Sequence, residues 1–172
     1  DVDRSRGLGD VYKRQVYIAL DNHKYGDFTP YLLKSTNRGK SWKSIASNLP
    51  KKNLVWRMVQ DHVDPNLLFA GTEFGLFFSS NSGKKWVKLS GGVPTISFRD
   101  LAIQRRENDL VGASFGRGFF VLDDYSSLRN LSEKSLEQDS MLFPTRDAWW
   151  YITRQPLGGG AVGSQGANTL SL

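Results

Sequence analysis

The chain of 172 residues contains no cysteine and only two histidines, His23 and His62. Without cysteine there is no disulfide framework and no thiolate zinc site, and this lack fits either side of a membrane. Neither histidine belongs to a His-x-Glu or His-x-x-x-His spacing, which argues against a histidine-based zinc enzyme. The Walker-type phosphate loop is missing too. Gly116-Arg117-Gly118 lies between apolar runs and opens no helical pattern, which argues against dinucleotide binding. No apolar run approaches the roughly 20 residues that span a bilayer. The formal charge is +6, but the signs alternate, as at Arg105-Arg106-Glu107. That describes a mildly cationic surface open to acidic partners, with no basic tract for nucleic acid. No metal and no cofactor is expected.

What the chain does have is a repeat. Ser35-Thr36-Asn37-Arg38-Gly39-Lys40-Ser41-Trp42 recurs as Ser79-Ser80-Asn81-Ser82-Gly83-Lys84-Lys85-Trp86, with Ser, Asn, Gly and Trp each 44 residues apart. Asn48-Leu49-Pro50 and Gly92-Val93-Pro94 end the two units, again 44 apart at the proline. A period in this range signals a repeat architecture. Each octet sits between short apolar runs, Tyr31-Leu32-Leu33 and Trp42 to Ile45, then Leu76-Phe77-Phe78 and Trp86 to Leu89. The pattern predicts strand, tight turn, strand. Asn bonds nearby backbone, Gly accepts positive φ, Ser caps the loop, and Trp buries a large ring as the chain returns. Ser35, Asn37, Gly39, Trp42, Ser79, Asn81, Gly83 and Trp86 are thus read as folding devices.

The motif Ser-x-Asn-x-Gly-x-x-Trp resembles the Asp-box, or bacterial neuraminidase repeat, of sialidase-like and sortilin-like β-propellers. Asn37 and Asn81 stand where that family more often has Asp, a departure that keeps the turn chemistry. The stretch from Arg57 to Arg129, with Gly-Thr-Glu-Phe-Gly and Phe-Gly-Arg-Gly-Phe-Phe-Val-Leu-Asp-Asp-Tyr, is similar to large bacterial repeat proteins described as glycosyl hydrolases or sortilin-like. The resemblance covers roughly residues 16 to 155. It implies an all-β fold: a partial β-propeller of about two and a half four-stranded blades, followed by a short helix and a C-terminal strand. It also implies a secreted or periplasmic setting.

In chain order, residues 1–15 read as non-native, because Asp10-Val11-Tyr12-Lys13-Arg14-Gln15 matches the translated end of a sequencing transposon. The chain is then an internal fragment of a larger ring. Residues 16–129 hold the blades. The first enters part-way, with strands over 16–20 and 31–35, a polar loop over 21–30, and a return at 42–45. The second is complete, with strands over 54–61, 67–72, 76–80 and 86–89. The third has strands over 96–104, 110–114 and 119–122, and its octet has decayed to Asp123-Asp124-Tyr125-Ser126 without a Trp. Residues 130–156 lead out of the propeller through a short helix over 132–142 and an aromatic strand over 148–152, whose aromatics suit core packing or a sugar platform. Residues 157–172 are Gly-rich and read as a linker.

Consecutive turns of a four-stranded meander fall on opposite rims. The octets therefore share a rim with Asp64-Pro65-Asn66 and Arg106-Glu107-Asn108. The other rim carries residues 21–30, Glu73-Phe74-Gly75 and 115–118, together with the entries to the first strands at Arg57 and Arg99. Arg57, Arg99 and Arg117 are candidate ligand residues there, because guanidinium forks suit carboxylates. The same arginines equally suit ion pairs between blades. Glu73, Asp100 and Tyr125 are the available catalytic candidates, since a glycosidase needs paired carboxylates or a tyrosine with an acidic partner. No spacing joins them into a catalytic set. Three readings stand: a propeller that binds a glycan or peptide on this rim, a sialidase-like glycoside hydrolase acting on an anionic or plant or bacterial polysaccharide, and a structural repeat module. The remaining blades of the same chain are the expected neighbours.

Overall fold

The computed structural model describes residues 14–131, together with 135, 140 and 142–144. Ten strands form three antiparallel meanders in chain order. The first sheet contains β1 (Val16–Asn22), β2 (Asp27–Ser35) and β3 (Lys43–Ser44). The second contains β4 (Val55–Gln60), β5 (Leu68–Thr72), β6 (Gly75–Ser79) and β7 (Val87–Lys88). The third contains β8 (Phe98–Gln104), β9 (Asp109–Ser114) and β10 (Phe119–Leu122). The expected strands stand within a few residues of their places, with one change. β2 starts at Asp27, inside the expected loop, because Asp27 pairs with Asn22 and accepts hydrogen bonds from the Thr29 amide and the Tyr31 hydroxyl. Pro30 falls in the irregularity opposite Leu20–Asn22, where a missing N–H costs no ladder bond. The expected helix over 132–142 falls mostly outside the described residues, with residue 135 helical. The expected strand over 148–152 and the Gly-rich segment lie outside them.

Both octets close in the same way. The Ser35 and Ser79 Oγ atoms accept from the amides of Gly39 and Gly83 at 2.8 and 2.9 Å. Asn37 and Asn81 Oδ1 accept the hydroxyl protons of those serines, both at 3.0 Å. They also accept the amide protons four residues on, at Ser41 and Lys85, both at 2.9 Å. The asparagine thus spans the whole turn rather than two residues of it. Arg38 and Ser82 adopt φ of 61°, and Gly39 and Gly83 follow at 84° and 83°. Two consecutive left-handed residues are costly without a glycine, and the side-chain bonds hold the other one in place. The third unit has no such turn. Asp124, at φ 42°, accepts from the Ser126 amide and opens a 3-10 helix over Tyr125–Asn130.

Burial follows the two-residue period of the strands. Leu68, Ala70 and Phe77 point from the second sheet toward the first and pack with Leu32, Ile45 and Trp86. Phe69, Leu76 and Phe78 point the other way and pack with Phe98, Leu101 and Tyr125. Every residue of β5 and β6 is buried, so the second sheet is sandwiched between its neighbours. Close approach depends on missing side chains: a Cβ on Gly71 would lie 2.8 Å from the Phe98 carbonyl oxygen, and one on Gly112 2.9 Å from the Phe98 ring. Trp86 seals the first interface. Its indole N–H donates to the Ile45 carbonyl at 2.7 Å, and its backbone exchanges two bonds with the Asn48 side chain, each 2.8 Å. Trp86 is 3% exposed, whereas Trp42, at the same place in the earlier octet, is 38% exposed. The same motif residue therefore carries different energies. Trp86→Ala is expected to cost about 3–5 kcal/mol and Trp42→Ala only about 1–2 kcal/mol in urea unfolding at neutral pH. Equal costs would refute this packing.

Candidate functional site

The first strands of the second and third sheets each contain a bulge. On β4, Val55 pairs with Thr72 and Arg57 with Gly71, leaving Trp56 as the extra residue. On β8, Phe98 pairs with Ser114 and Asp100 with Ala113, leaving Arg99 extra. Bulges re-aim a side chain out of the ladder. Here both go to one place: the Arg99 guanidinium carbon lies 3.6 Å from the centre of the Trp56 ring. The sequence sets Arg57 beside Arg99, but the register makes Trp56 the counterpart of Arg99 and Asp100 the counterpart of Arg57. Backbone bonds fix this alignment, because the Glu73 amide donates to the Leu54 carbonyl just as the Phe115 amide donates to that of Ser97.

Glu73 organises the rest. Its Oε2 accepts from the Trp56 indole N–H at 2.8 Å and the Ser97 hydroxyl at 3.1 Å, and lies 3.7 Å from an Arg99 nitrogen. His23 meets the Trp56 ring edge-on at 5.6 Å, and its Nδ1 contacts the Asp21 carboxylate. Around these groups lies a cavity of about 540 Å³, walled by His23, Phe28, Lys52, Leu54, Trp56, Glu73, Phe74 and Arg99. Its volume suits one small ligand or a short segment of a longer one. Phe28 and Phe74 are about half exposed, so apolar surface faces the opening. The cation side is Lys52 and Arg99. The carboxylate side is Glu73, already bonded three ways. Beneath the wall, Asn53 is fully buried between Lys52 and Leu54. Its Oδ1 accepts from the Phe74 amide, and its Nδ2 has no partner among the described residues.

Of the sequence candidates, Arg99 and Glu73 meet in this cavity. Arg57 and Asp100 pair with each other at 2.9 Å across the gap between β4 and β8, away from the cavity wall. Arg117 is exposed and does not line the cavity. Tyr125 is elsewhere altogether. It sits 1% exposed between the second and third sheets, edge-on to Phe69 at 4.9 Å. Its hydroxyl donates to Asp61 at 2.7 Å, beyond the far end of β4 from Trp56. Burial, reinforced by the Asp61 hydrogen bond, pushes this phenol above its ordinary pKa. The sequence gives no role to Trp56, His23, Phe28, Lys52 or Phe74. His23, Phe28 and Phe74 lie on the rim that turn counting picks out, and the bulges, which no residue pattern announces, bring Trp56 to Arg99 there.

Two further chemistries are tested by local geometry. Gly112-Ala113-Ser114-Phe115-Gly116 has the Gly-x-Ser-x-Gly spacing of a hydrolase elbow. It ends a strand that turns into another strand rather than a helix, and Ser114 Oγ donates to the Gly118 carbonyl at 2.8 Å. The hydroxyl is a turn brace. Among the described residues no three His, Cys, Asp or Glu side chains come together to hold a metal ion, and no helix is long and apolar enough to cross a membrane. No protein-family model matches the chain, and no curated protein is significantly similar to it.

The opposite rim is locked by charge. Asp61, with its side chain fully buried, receives Arg129 through two bonds of 2.7 and 2.9 Å, and Arg129 also reaches Asn108 at 2.7 Å. Burial alone would raise the Asp61 carboxyl. Bonds from Arg129, the Asp64 amide and Tyr125 outweigh it and hold the carboxyl well below the usual range. The folded pKa lies under the unfolded one, so this stabilisation is complete above about pH 4 and is lost as pH falls through the folded value. Asp61→Asn is expected to cost about 3–5 kcal/mol at pH 7. It should also flatten the loss of stability from pH 4 to pH 2, followed by urea unfolding at each pH. An unchanged acid limb would remove Asp61 from this role.

Proposed function

We propose that residues 16–129 belong to an Asp-box β-propeller of the sialidase-like or sortilin-like kind, and that its rim opposite the octets binds a glycan or peptide carrying negative charge. Three stacked meanders support the propeller reading. β4 lies against both β1 and β8, and the sheets pack face to face in chain order. The observation that carries the ligand reading is the cavity itself, where Arg99 and Lys52 stand beside half-exposed aromatic rings. Arg99 is held over the Trp56 ring and steadied by Glu73, so little ordering remains to be done when an anion arrives.

Hydrolysis is the less favoured reading. A glycosidase needs two carboxyl groups facing one another across the bond to be cut. Glu73 is the one carboxylate among the residues lining the cavity; Asp100 is engaged by Arg57, and Tyr125 is enclosed in the core. The Arg57–Asp100 pair serves cohesion between sheets, as the structural alternative expects of those two residues.

The protein should be screened against sialosides, bacterial and plant polysaccharides and a peptide array. Saturable binding without turnover is expected, weakened tenfold or more by Arg99→Ala and three- to tenfold by Phe74→Ala, measured by calorimetry. Arg57→Ala should leave affinity within twofold while lowering stability. Turnover abolished by Glu73→Gln would establish the hydrolase instead, and loss of affinity in Arg57→Ala but not Arg99→Ala would displace the site.

A further inference from the structure

The seam between the first and second sheets is filled by apolar side chains, but at its octet end it carries a cluster of positive charge. Tyr17, Lys34 and Lys43 stand level on three neighbouring strands, so their side chains share one face of the first sheet. That face is turned toward the second sheet. Tyr17 packs against the first core, and so do Leu32, two residues before Lys34, and Ile45, two residues after Lys43. The octet turn of the second sheet meets the first sheet at the same place. Gly83 rests on Ile45, and the Ser47 hydroxyl donates to the Lys84 carbonyl at 3.4 Å. Lys34, Lys43 and Lys84 therefore gather at one end of the seam. Lys34 Nζ lies 5.4 Å from the centre of the Tyr17 ring. Burial, and after it the Lys84 ammonium, lowers the Lys34 pKa.

The seam between the second and third sheets shows the same positions without charge. Phe78, Val87 and Leu128 follow Lys34, Lys43 and Lys84 by 44 residues each. Phe69, Phe78 and Val87 form the corresponding level row, and with Leu128 they belong to the second apolar core. What is an apolar plug in one seam is three cations in the other. Like charges set directly opposite across strands destabilise a sheet. None of the three lysines enters an ion pair among the described residues.

We infer that the octet end of this seam binds a doubly charged tetrahedral oxyanion, a sulfate or phosphate group, between Lys34, Lys43 and Lys84. An ammonium is a compact charge with three rotatable donors, so three of them can close around a tetrahedral ion. A planar carboxylate is better matched by a guanidinium fork. The ion is either free or carried as an ester on a glycan. No hydrogen bond of the octet turns has to break, because those turns are closed by serine, asparagine and backbone groups. Bound there, the oxyanion offsets the repulsion among the lysines and stabilises the fold. None of the three lines the aromatic cavity, so this site stands independently of the rim ligand.

Titration calorimetry of the full chain with sodium sulfate and with inorganic phosphate, against sodium chloride at matched ionic strength, reads the outcome. Saturable binding of sulfate or phosphate to one site is expected, with none for chloride. Lys84→Gln, at an exposed position, should weaken it about tenfold. Lys34→Phe with Lys43→Val rebuilds the row of the second seam. This variant should lose the binding and, without sulfate present, unfold at a higher urea concentration than wild type. Lys84→Gln keeps the test decisive if the double variant misfolds. A sulfated oligosaccharide and its desulfated counterpart separate the two sources. Lys84-dependent binding of the sulfated form, about tenfold or more tighter than inorganic sulfate, assigns an ester, and affinity no better than the inorganic ion assigns the free ion. Arg99→Ala should change none of these results. Absence of saturable binding beyond chloride overturns the inference, and so does an affinity that Lys84→Gln leaves intact.

Discussion

Two-sided burial of the second sheet is the constraint on which the rest of the structure depends. β5 and β6 place alternate residues in two separate cores, so neither strand has a solvent face to accommodate polar change. A one-residue slip would exchange the two sets, sending Phe69 and Phe78 toward Trp86 and Ala70 toward Phe98. Volumes on the two sides differ, and the glycines permit only one arrangement. Phe98 fits because Gly71 and Gly112 leave room on adjoining sheets, and the Gly83 turn fits because it rests directly on Ile45. Register within the sheet and spacing between sheets are thus one requirement.

The octets illustrate a division between local and distant causes. Their backbone shape comes from serine and asparagine bonds inside eight residues, and the lengths of those bonds agree between the two copies to within 0.1 Å. Their tryptophans do not share a fate, since Trp86 finds the Ile45 carbonyl and the Asn48 amide of the preceding unit. In the third unit the roles are redistributed. Tyr125 fills the space beside Phe69, and Arg129 reaches back to the buried Asp61, so an ion pair closes this unit where the second unit uses an indole. Such a pair costs desolvation, offset by further donors from the Asp64 amide and the Tyr125 hydroxyl.

Strands and octets were legible in the chain because period-two alternation and Asn-x-Gly turns are local signals. The rim carrying Glu73 and Arg99 was legible from counting turns in a meander. The partner of Arg99 was not. Trp-Arg and Phe-Arg invite alignment of the two arginines, yet the pairing partners on the neighbouring strands set Trp56, not Arg57, level with Arg99. A bulge leaves no compositional trace when both neighbours have side chains suited to strands. Tyr125 misled for a similar reason: a tyrosine after two aspartates reads as a surface turn, and its burial follows from contacts with Phe69 and Asp61, more than 50 residues earlier.

The two rims also differ in what their polar groups have left to offer. On the octet rim, serine, asparagine and backbone donors are consumed within their own turns, and Asp61 is enclosed by Arg129, Tyr125 and the Asp64 amide. A ligand arriving there would have to break bonds before making any. On the other rim the turns are shorter and carry aromatic side chains outward, with Phe74 and Phe115 both exposed. Arg99 lies 5.1 Å from the Phe115 ring centre as well as 3.6 Å from that of Trp56, so the cation is fixed by two rings and a carboxylate rather than by an enclosing network. Fixed orientation with part of the guanidinium still exposed is what a recognition surface requires, because the ordering cost is met before the ligand binds. The same bulges that break the regularity of β4 and β8 create that condition.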